Sequence, residues 1–188
     1  MPTVQFIHDH GIRPPTLIKT NEFTAPFQEI VNTYGIPNYK EVNPAVFAIV
    51  TFPFEYGIMF GDIGHGCFFL TCGLLLCLFS DQLKKYVPSL EGVLYARYLF
   101  LLMGLFAAFC GLMYNDFVSI PLFLFGDSCY PLDQRFKDGE IDNSVEMVAK
   151  DDCVYPIGID PAWYLTPNEL TFLNSLKMKV SVIVGVSQ

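Results

Sequence analysis

Residues 60–67 read FGDIGHGC, and they interrupt an apolar run that extends over residues 42–79. As one straight helix this run would be roughly 57 Å long, whereas the hydrocarbon core of a bilayer is only about 30 Å thick. Three glycines with Asp62 and His65 supply a turn. The octapeptide therefore predicts a transmembrane helical hairpin over residues 42–79, with its turn near the far interface.

The composition places this hairpin in a membrane protein. Of the 188 residues, 52% are hydrophobic and 16% are charged, against about 25% charged in soluble domains. The formal net charge of −8 repels phosphate and argues against nucleic acid as a partner. We expect an all-α membrane protein with the lipid bilayer as its surroundings.

The segment after the hairpin carries a basic bias. Residues 80–96 are short and include Lys84 and Lys85, and Arg97 follows them directly. Short loops with excess Lys and Arg lie on the cytosolic side. We therefore expect residues 80–96 to be a short cytosolic loop, which fits a hairpin because two crossings return the chain to the same side.

The next span is free of charge from residue 98 to 115. It predicts a transmembrane helix over residues 97–116. Small residues four apart, Gly104 with Ala108 and Ala107 with Gly111, let helix backbones approach closely in lipid. They predict a packed face on this helix.

An acidic loop occupies residues 117–176. The stretch from residue 116 to 176 holds eleven acidic and three basic residues, an imbalance equal to the net charge of the whole chain. We expect this loop to be luminal. In an oxidising lumen Cys129 and Cys153 could form a disulfide, and in a reducing compartment they would stay free.

The two ends of the chain are different in character. Residues 1–41 are polar and contain apolar residues at helical spacing from Phe27 to Tyr34, which predicts a short amphipathic helix. The apolar run at residues 177–188 is too short to cross a membrane. We expect it to be the start of a truncated transmembrane helix.

Four of the polar residues near the spans admit two interpretations each. Asp62 and His65 either belong to a proton path or salt bridge, or cap the hairpin turn and bind freed backbone groups. Lys177 and Lys179 either pair with a membrane acid or extend to the interface.

Enzymatic chemistry has no support in the sequence. His8 and His10 make only a weak metal signal without a further clustered ligand. The chain contains no phosphate loop, nucleophile elbow or zinc-protease motif. We expect no catalytic residue, no metal and no cofactor.

Several long motifs, in one order, carry a resemblance to a known family. They are Thr20–Pro44, FPF at residues 52–54, FGDIGHGC at residues 60–67, RYLFLLMG from Arg97, GLMYNDFVS from Gly111, YPIGIDPAWY from Tyr155, and NELTFLNSLKMKVSVIVGV from Asn168. Over residues 13–186 the chain resembles subunit a of the eukaryotic vacuolar-type proton ATPase, and it departs from that pattern at Glu55 and Cys67.

The resemblance implies a role in a rotary proton pump. Residues 1–41 would be the end of a cytosolic arm, and the chain would be the arm/membrane junction of a non-catalytic stator subunit. The arginine that works against the ring carboxylate is missing, so this junction would anchor and brace rather than form the full proton path. The resemblance singles out six polar residues for structural coupling: Asp62, His65, Asn115, Asp116, Lys177 and Lys179.

The family also implies partners and a location. The partners would be the proteolipid c-ring and other membrane-sector subunits, with the peripheral stalk and ATPase-sector subunits contacted through the missing arm. The location would be a vacuolar, endolysosomal or other acidified-organelle membrane. The alternative function is a stand-alone membrane scaffold that does not pump and carries a disulfide-bearing luminal loop.

Overall fold

The computed structural model describes residues 16–132, 136–137, 140–141 and 148–187. His8 and His10 lie outside the described residues. The described part is mostly helical and also contains two short antiparallel pairs of strands. Its helices are α1 (Ala25–Tyr34), α2 (Ala45–Phe60), α3 (Ile63–Leu78), α4 (Ser80–Tyr86), α5 (Glu91–Tyr95), α6 (Arg97–Tyr114) and α7 (Glu169–Ser187). Its strands pair antiparallel as β1 (Asp116–Phe117) with β2 (Ile120–Pro121), and β3 (Phe136–Lys137) with β4 (Glu140–Ile141).

Two of the described apolar helices, and a third if a bent pair is counted as one, have the length that a bilayer requires. Among the described residues, α6 and α7 are long and apolar enough to cross a membrane. Helices α3 and α4 are together also long and apolar enough to cross a membrane, although the two helices are bent by 78° at Phe79. Helix α2 is apolar but has only 16 residues. The predicted fold class, an all-α membrane protein, is confirmed.

The apolar run turns at Gly61 and Asp62, between the end of α2 and the start of α3. Helix α6 packs against both α2 and α3. Helices α2 and α3 meet each other through the rings of Tyr56 and Phe69, whose centroids are 6.2 Å apart. Gly111 lies against Ile63 and Gly73 against Leu101, so α3 and α6 run antiparallel. Helix α6 is therefore the central helix of the bundle.

Glycines make this central packing close. A Cβ atom at Gly104 would lie 2.3 Å from the backbone nitrogen of Leu70, and one at Gly66 would lie 2.3 Å from that of Ala108. Gly57 of α2 meets the backbone of α6 at Phe106 in the same way, at 2.7 Å. The small residues of α6 thus lie at helix–helix contacts, as their spacing predicts.

The last helix begins earlier than the sequence interpretation placed it. Helix α7 starts at Glu169 rather than Lys177 and has 19 described residues, so the predicted start of this helix was placed too late in the sequence. Phe172 and Leu173 continue the apolar pattern toward the N-terminus, and Leu173 is buried. The acidic composition of the preceding loop concealed this first part, although an acidic residue favours a helix N-terminus.

The segment from residue 16 to 44 docks at the end of the bundle where α2 and α6 begin, which we call the arm end. Phe27 of α1 and Leu94 of α5 are fully buried. The Arg97 Nη2 atom donates to Glu22 Oε2 at 2.6 Å. The opposite end, with the α2–α3 turn and the loop after α6, is called the loop end.

Candidate functional site

Asp62 lies at the centre of the loop end. Its backbone is extended, and its Oδ1 atom accepts a hydrogen bond from the Gly64 N–H at 2.9 Å, so it caps α3. The same oxygen accepts from the Val118 N–H at 2.8 Å, while Oδ2 binds His65 Nδ1. One carboxylate therefore connects the α2–α3 turn to the hairpin that follows α6.

That hairpin has a tight turn at Val118 and Ser119. Both residues have positive φ angles, 53° and 63°, the left-handed conformation that a two-residue hairpin loop of this type requires. For a β-branched valine this conformation is strained. The Ser119 N–H donates to Asp116 Oδ1 at 2.9 Å, so the carboxylates of Asp62 and Asp116 hold the two strained residues in place.

Asn115 closes the C-terminus of α6. It adopts the left-handed conformation at φ 55° and is fully buried. Its Nδ2 atom donates to the carbonyl oxygens of Ile159 at 2.9 Å and Ile157 at 3.3 Å. The Ile159 N–H in turn donates to the Met113 carbonyl at 2.9 Å. Residues 157–159 are thereby tied across the end of α6, and we call this segment the strap.

A cavity of about 380 Å³ opens beside the turn. Asp62, His65, Asp116 and Lys177 line it, together with aromatic side chains of α2 and α3. The Lys177 Nζ atom lies over the Tyr114 ring, 4.9 Å from its centroid. No described carboxylate lies within 4.0 Å of Lys177, so its described contact is this cation–π pair.

The two carboxylates differ in their affinity for protons. Burial raises the pKa of Asp62, but the bonds from Val118, His65 and Gly64 outweigh burial, and the pKa lies below its ordinary value. Burial and then the Asp62 charge raise the pKa of Asp116 above its ordinary value. The surroundings of Asp62 therefore favour its charged form more strongly than those of Asp116 do.

A second network holds the loop after α6. The Asp160 carboxylate is buried and accepts from Ser128 Oγ at 2.7 Å and from the Cys129 and Ala162 N–H groups at 2.9 Å. The sulfurs of Cys129 and Cys153 form a disulfide in the structure, with the Cα atoms 5.6 Å apart. These contacts join the part of the loop at Ser128 and Cys129 to the part at Cys153 and Asp160.

Sequence comparison relates the whole chain to one family. Residues 1–188 match the V-type ATPase 116 kDa subunit family. The chain belongs to this family. The chain is 46% identical over 177 residues to the vacuolar proton translocating ATPase 100 kDa subunit of Dictyostelium discoideum, which covers 93% of the chain. It is 45% identical to the V-type proton ATPase subunit a3 of Arabidopsis thaliana and 43% identical to the human V-type proton ATPase 116 kDa subunit a 4, each over 93% of the chain.

The chain spans about a fifth of the length of these V-type ATPase relatives, 21% or 22% of each. Within that fifth, four of the six polar residues named from the sequence line one cavity, and Asn115 precedes Asp116 at the end of α6. Lys179 does not join them. It lines a separate groove with Trp163 on the outer face of α7.

Three residues that hold this architecture escaped the sequence interpretation. The Tyr114 hydroxyl donates to the Ile58 carbonyl at 2.9 Å, near the end of α2. Asp160 and Arg97 are the other two, and their partners lie 31 to 75 residues away in sequence. For Asp160 the Asp-Pro step before a short helical turn is a capping signal that could have indicated its role.

We expect loss of the disulfide to weaken the loop end. In the replacement Cys129→Ser, a cross-link between residues 24 apart is lost, which we expect to cost about 3 kcal/mol of stability. Thermal unfolding of the purified protein measures the effect, with Cys67→Ser, an exposed free cysteine, as control. Free thiols at both positions under oxidising purification would contradict the pairing.

Proposed function

We propose that this chain forms the junction between the cytosolic arm and the membrane bundle in the stator subunit of a rotary vacuolar-type proton ATPase. Partner subunits hydrolyse ATP, and the complex moves protons and acidifies an organelle. The chain itself is non-catalytic. Its contribution is to anchor the arm and to brace the membrane helices, while most of the proton path lies elsewhere in the subunit.

The Asp62 network is the observation that supports this role most directly. A brace must transmit force between elements without deforming, and hydrogen bonds that join elements distant in sequence make such a connection rigid. Here one carboxylate fixes the α2–α3 turn to the β1–β2 hairpin, and Asn115 fixes the end of α6 to the strap. The loop end therefore behaves as one unit with the central helix.

The arm end provides the second half of the brace. Arg97 begins α6, and its guanidinium is buried while it donates to Glu22. Force from the arm would thus enter the bundle at the start of α6 and leave it at the network around its other end. We place the arm in the cytosol, the loop end in the lumen, and the proteolipid c-ring and other membrane-sector subunits beside the bundle.

Replacing Asp62 tests the brace. In the full-length subunit, we expect Asp62→Asn to lower the coupling of ATP hydrolysis to acidification, because the charge that holds His65 and Val118 is lost. Asp62→Ala removes every acceptor and should reduce assembly as well. ATP-driven acidification of vesicles and the amount of assembled complex are the two measurements, and Asp81→Asn, an exposed acid on α4, is the control.

Normal acidification together with normal assembly in both Asp62 variants would contradict a bracing role for this residue. Purification from gently solubilised membranes separates the pump from the scaffold alternative. Proteolipid and ATPase subunits that co-purify with a protein much larger than 21.2 kDa support the pump. A 21.2 kDa protein without these subunits supports the scaffold.

A further inference from the structure

A groove of about 570 Å³ runs along the outer face of α7 at the loop end. Trp163 lines it, and its ring is stacked on Phe172 with the centroids 4.1 Å apart. The polar side chains of Asn168, Thr171 and Ser175 also line it. Among the described lining residues, Lys179 alone carries a charge. The described lining is thus suited to an anionic group, since it includes a cation and no carboxylate.

A membrane-spanning α6 places the groove at the membrane surface. Helix α6 is long and apolar enough to cross a membrane and ends at Tyr114, and Lys177 of α7 lies over the Tyr114 ring. Lys177 and Lys179 are therefore level with the end of the span. The residues of α7 before Lys177 extend beyond the hydrocarbon, so Lys179 is at headgroup depth and Trp163 lies in the interfacial region that tryptophan favours.

An apolar strip continues directly below the groove. Val182, Ile183 and Val186 follow Lys179 at three, four and seven residues, so they share its helix face. Their side chains are 64%, 67% and 82% exposed. The face therefore presents hydroxyl groups, an ammonium and then exposed aliphatic side chains, which is the order of polarity along a phospholipid.

We propose that this face of α7 binds a phospholipid, with the headgroup phosphate at Lys179 and the hydroxyls of Ser175 and Thr171, and an acyl chain along the aliphatic strip. The ammonium supplies a charge-assisted hydrogen bond to the phosphate. Trp163 covers the headgroup from the loop side. The inference depends on the membrane topology of α6 and α7 and is independent of the pump function proposed above.

Photocrosslinking in nanodiscs tests this site. The protein, purified within its native complex, is reconstituted with phospholipid that carries a diazirine in the acyl chain, and adducts are located by peptide mass spectrometry. We expect adducts between Leu176 and Val186, lowered about tenfold by Lys179→Gln, because a hydrogen bond to a charged group is lost. Phosphatidylserine and phosphatidylcholine probes in separate samples distinguish recognition of the phosphate from recognition of extra negative charge.

Lys85→Gln is the control. It removes the same charge at an exposed position of α4 and should leave the adduct yield unchanged. Ser175→Leu fills the groove without a charge change and should also lower the yield. It takes the place of Lys179→Gln as the test variant if Lys179→Gln fails to assemble. Equal yields in wild type and both groove variants would overturn the proposal. So would an absence of adducts on α7 while α2 is labelled, since a protein segment would then cover this face.

Discussion

Gly104→Ala is expected to separate α6 from α3 and to lower the stability of the bundle by about 3 kcal/mol, at the upper end of overpacking costs. The new Cβ atom would lie 2.3 Å from the Leu70 nitrogen and 2.7 Å from its Cα atom. Both atoms belong to the backbone of α3, so no side-chain rotation relieves the overlap. The helices must move apart, and the contacts of Gly66 and Gly111 loosen with them.

The sign of this effect separates it from helix propensity. In an unpacked helix, Gly→Ala stabilises by about 0.8–1.0 kcal/mol. Gly92→Ala is the matched control, because a Cβ atom there has no neighbour within 4 Å. Thermal unfolding in detergent should show a lower midpoint for Gly104→Ala and an equal or higher one for Gly92→Ala. A midpoint for Gly104→Ala at or above that of the native protein would contradict the packing described here.

The sequence predicted this packing because glycine spacing is a local signal. Membrane helices that approach closely need small residues at fixed intervals, and α6 carries them within one helix. The turn at Gly61 and Asp62 was predictable for a similar reason, since a run too long for the bilayer must bend where its glycines lie. Neither inference identified which helices meet, because the partner of a glycine is decided by topology.

The site was only partly predictable from the sequence. A cap of the hairpin turn was one of the two interpretations of Asp62, but its bond to Val118 connects residues 56 apart. Val118 is a poor turn former, the Val-Ser pair is not among the pairs that this turn type prefers, and no sequence rule places a valine at positive φ. The conformation exists because the Asp62 and Asp116 carboxylates hold the two N–H groups. Because this turn conformation depends on a contact between residues distant in sequence, local sequence preferences do not predict it.

Gly158→Ala is expected to release the strap and to cost about 4 kcal/mol, the sum of backbone strain and lost buried hydrogen bonds. Gly158 has φ 82°, and a Cβ atom there would lie 2.1 Å from the Met113 carbonyl oxygen. That oxygen accepts the Ile159 N–H, and Asn115 donates to both neighbours of Gly158. Displacing the strap therefore leaves the fully buried Asn115 amide without these acceptors.

Gly126→Ala separates strain from overlap, because Gly126 also has a positive φ, 143°, and its nearest neighbour to a new Cβ atom is 3.9 Å away. Hydrogen–deuterium exchange at the Ile159 amide reports the strap itself. We expect fast exchange there in Gly158→Ala and native protection in Gly126→Ala. The unfolding midpoint should fall in Gly158→Ala and fall only slightly in Gly126→Ala. Native protection of Ile159 in Gly158→Ala would show that the strap tolerates a side chain, and the connection between α6 and the loop would then not depend on Gly158.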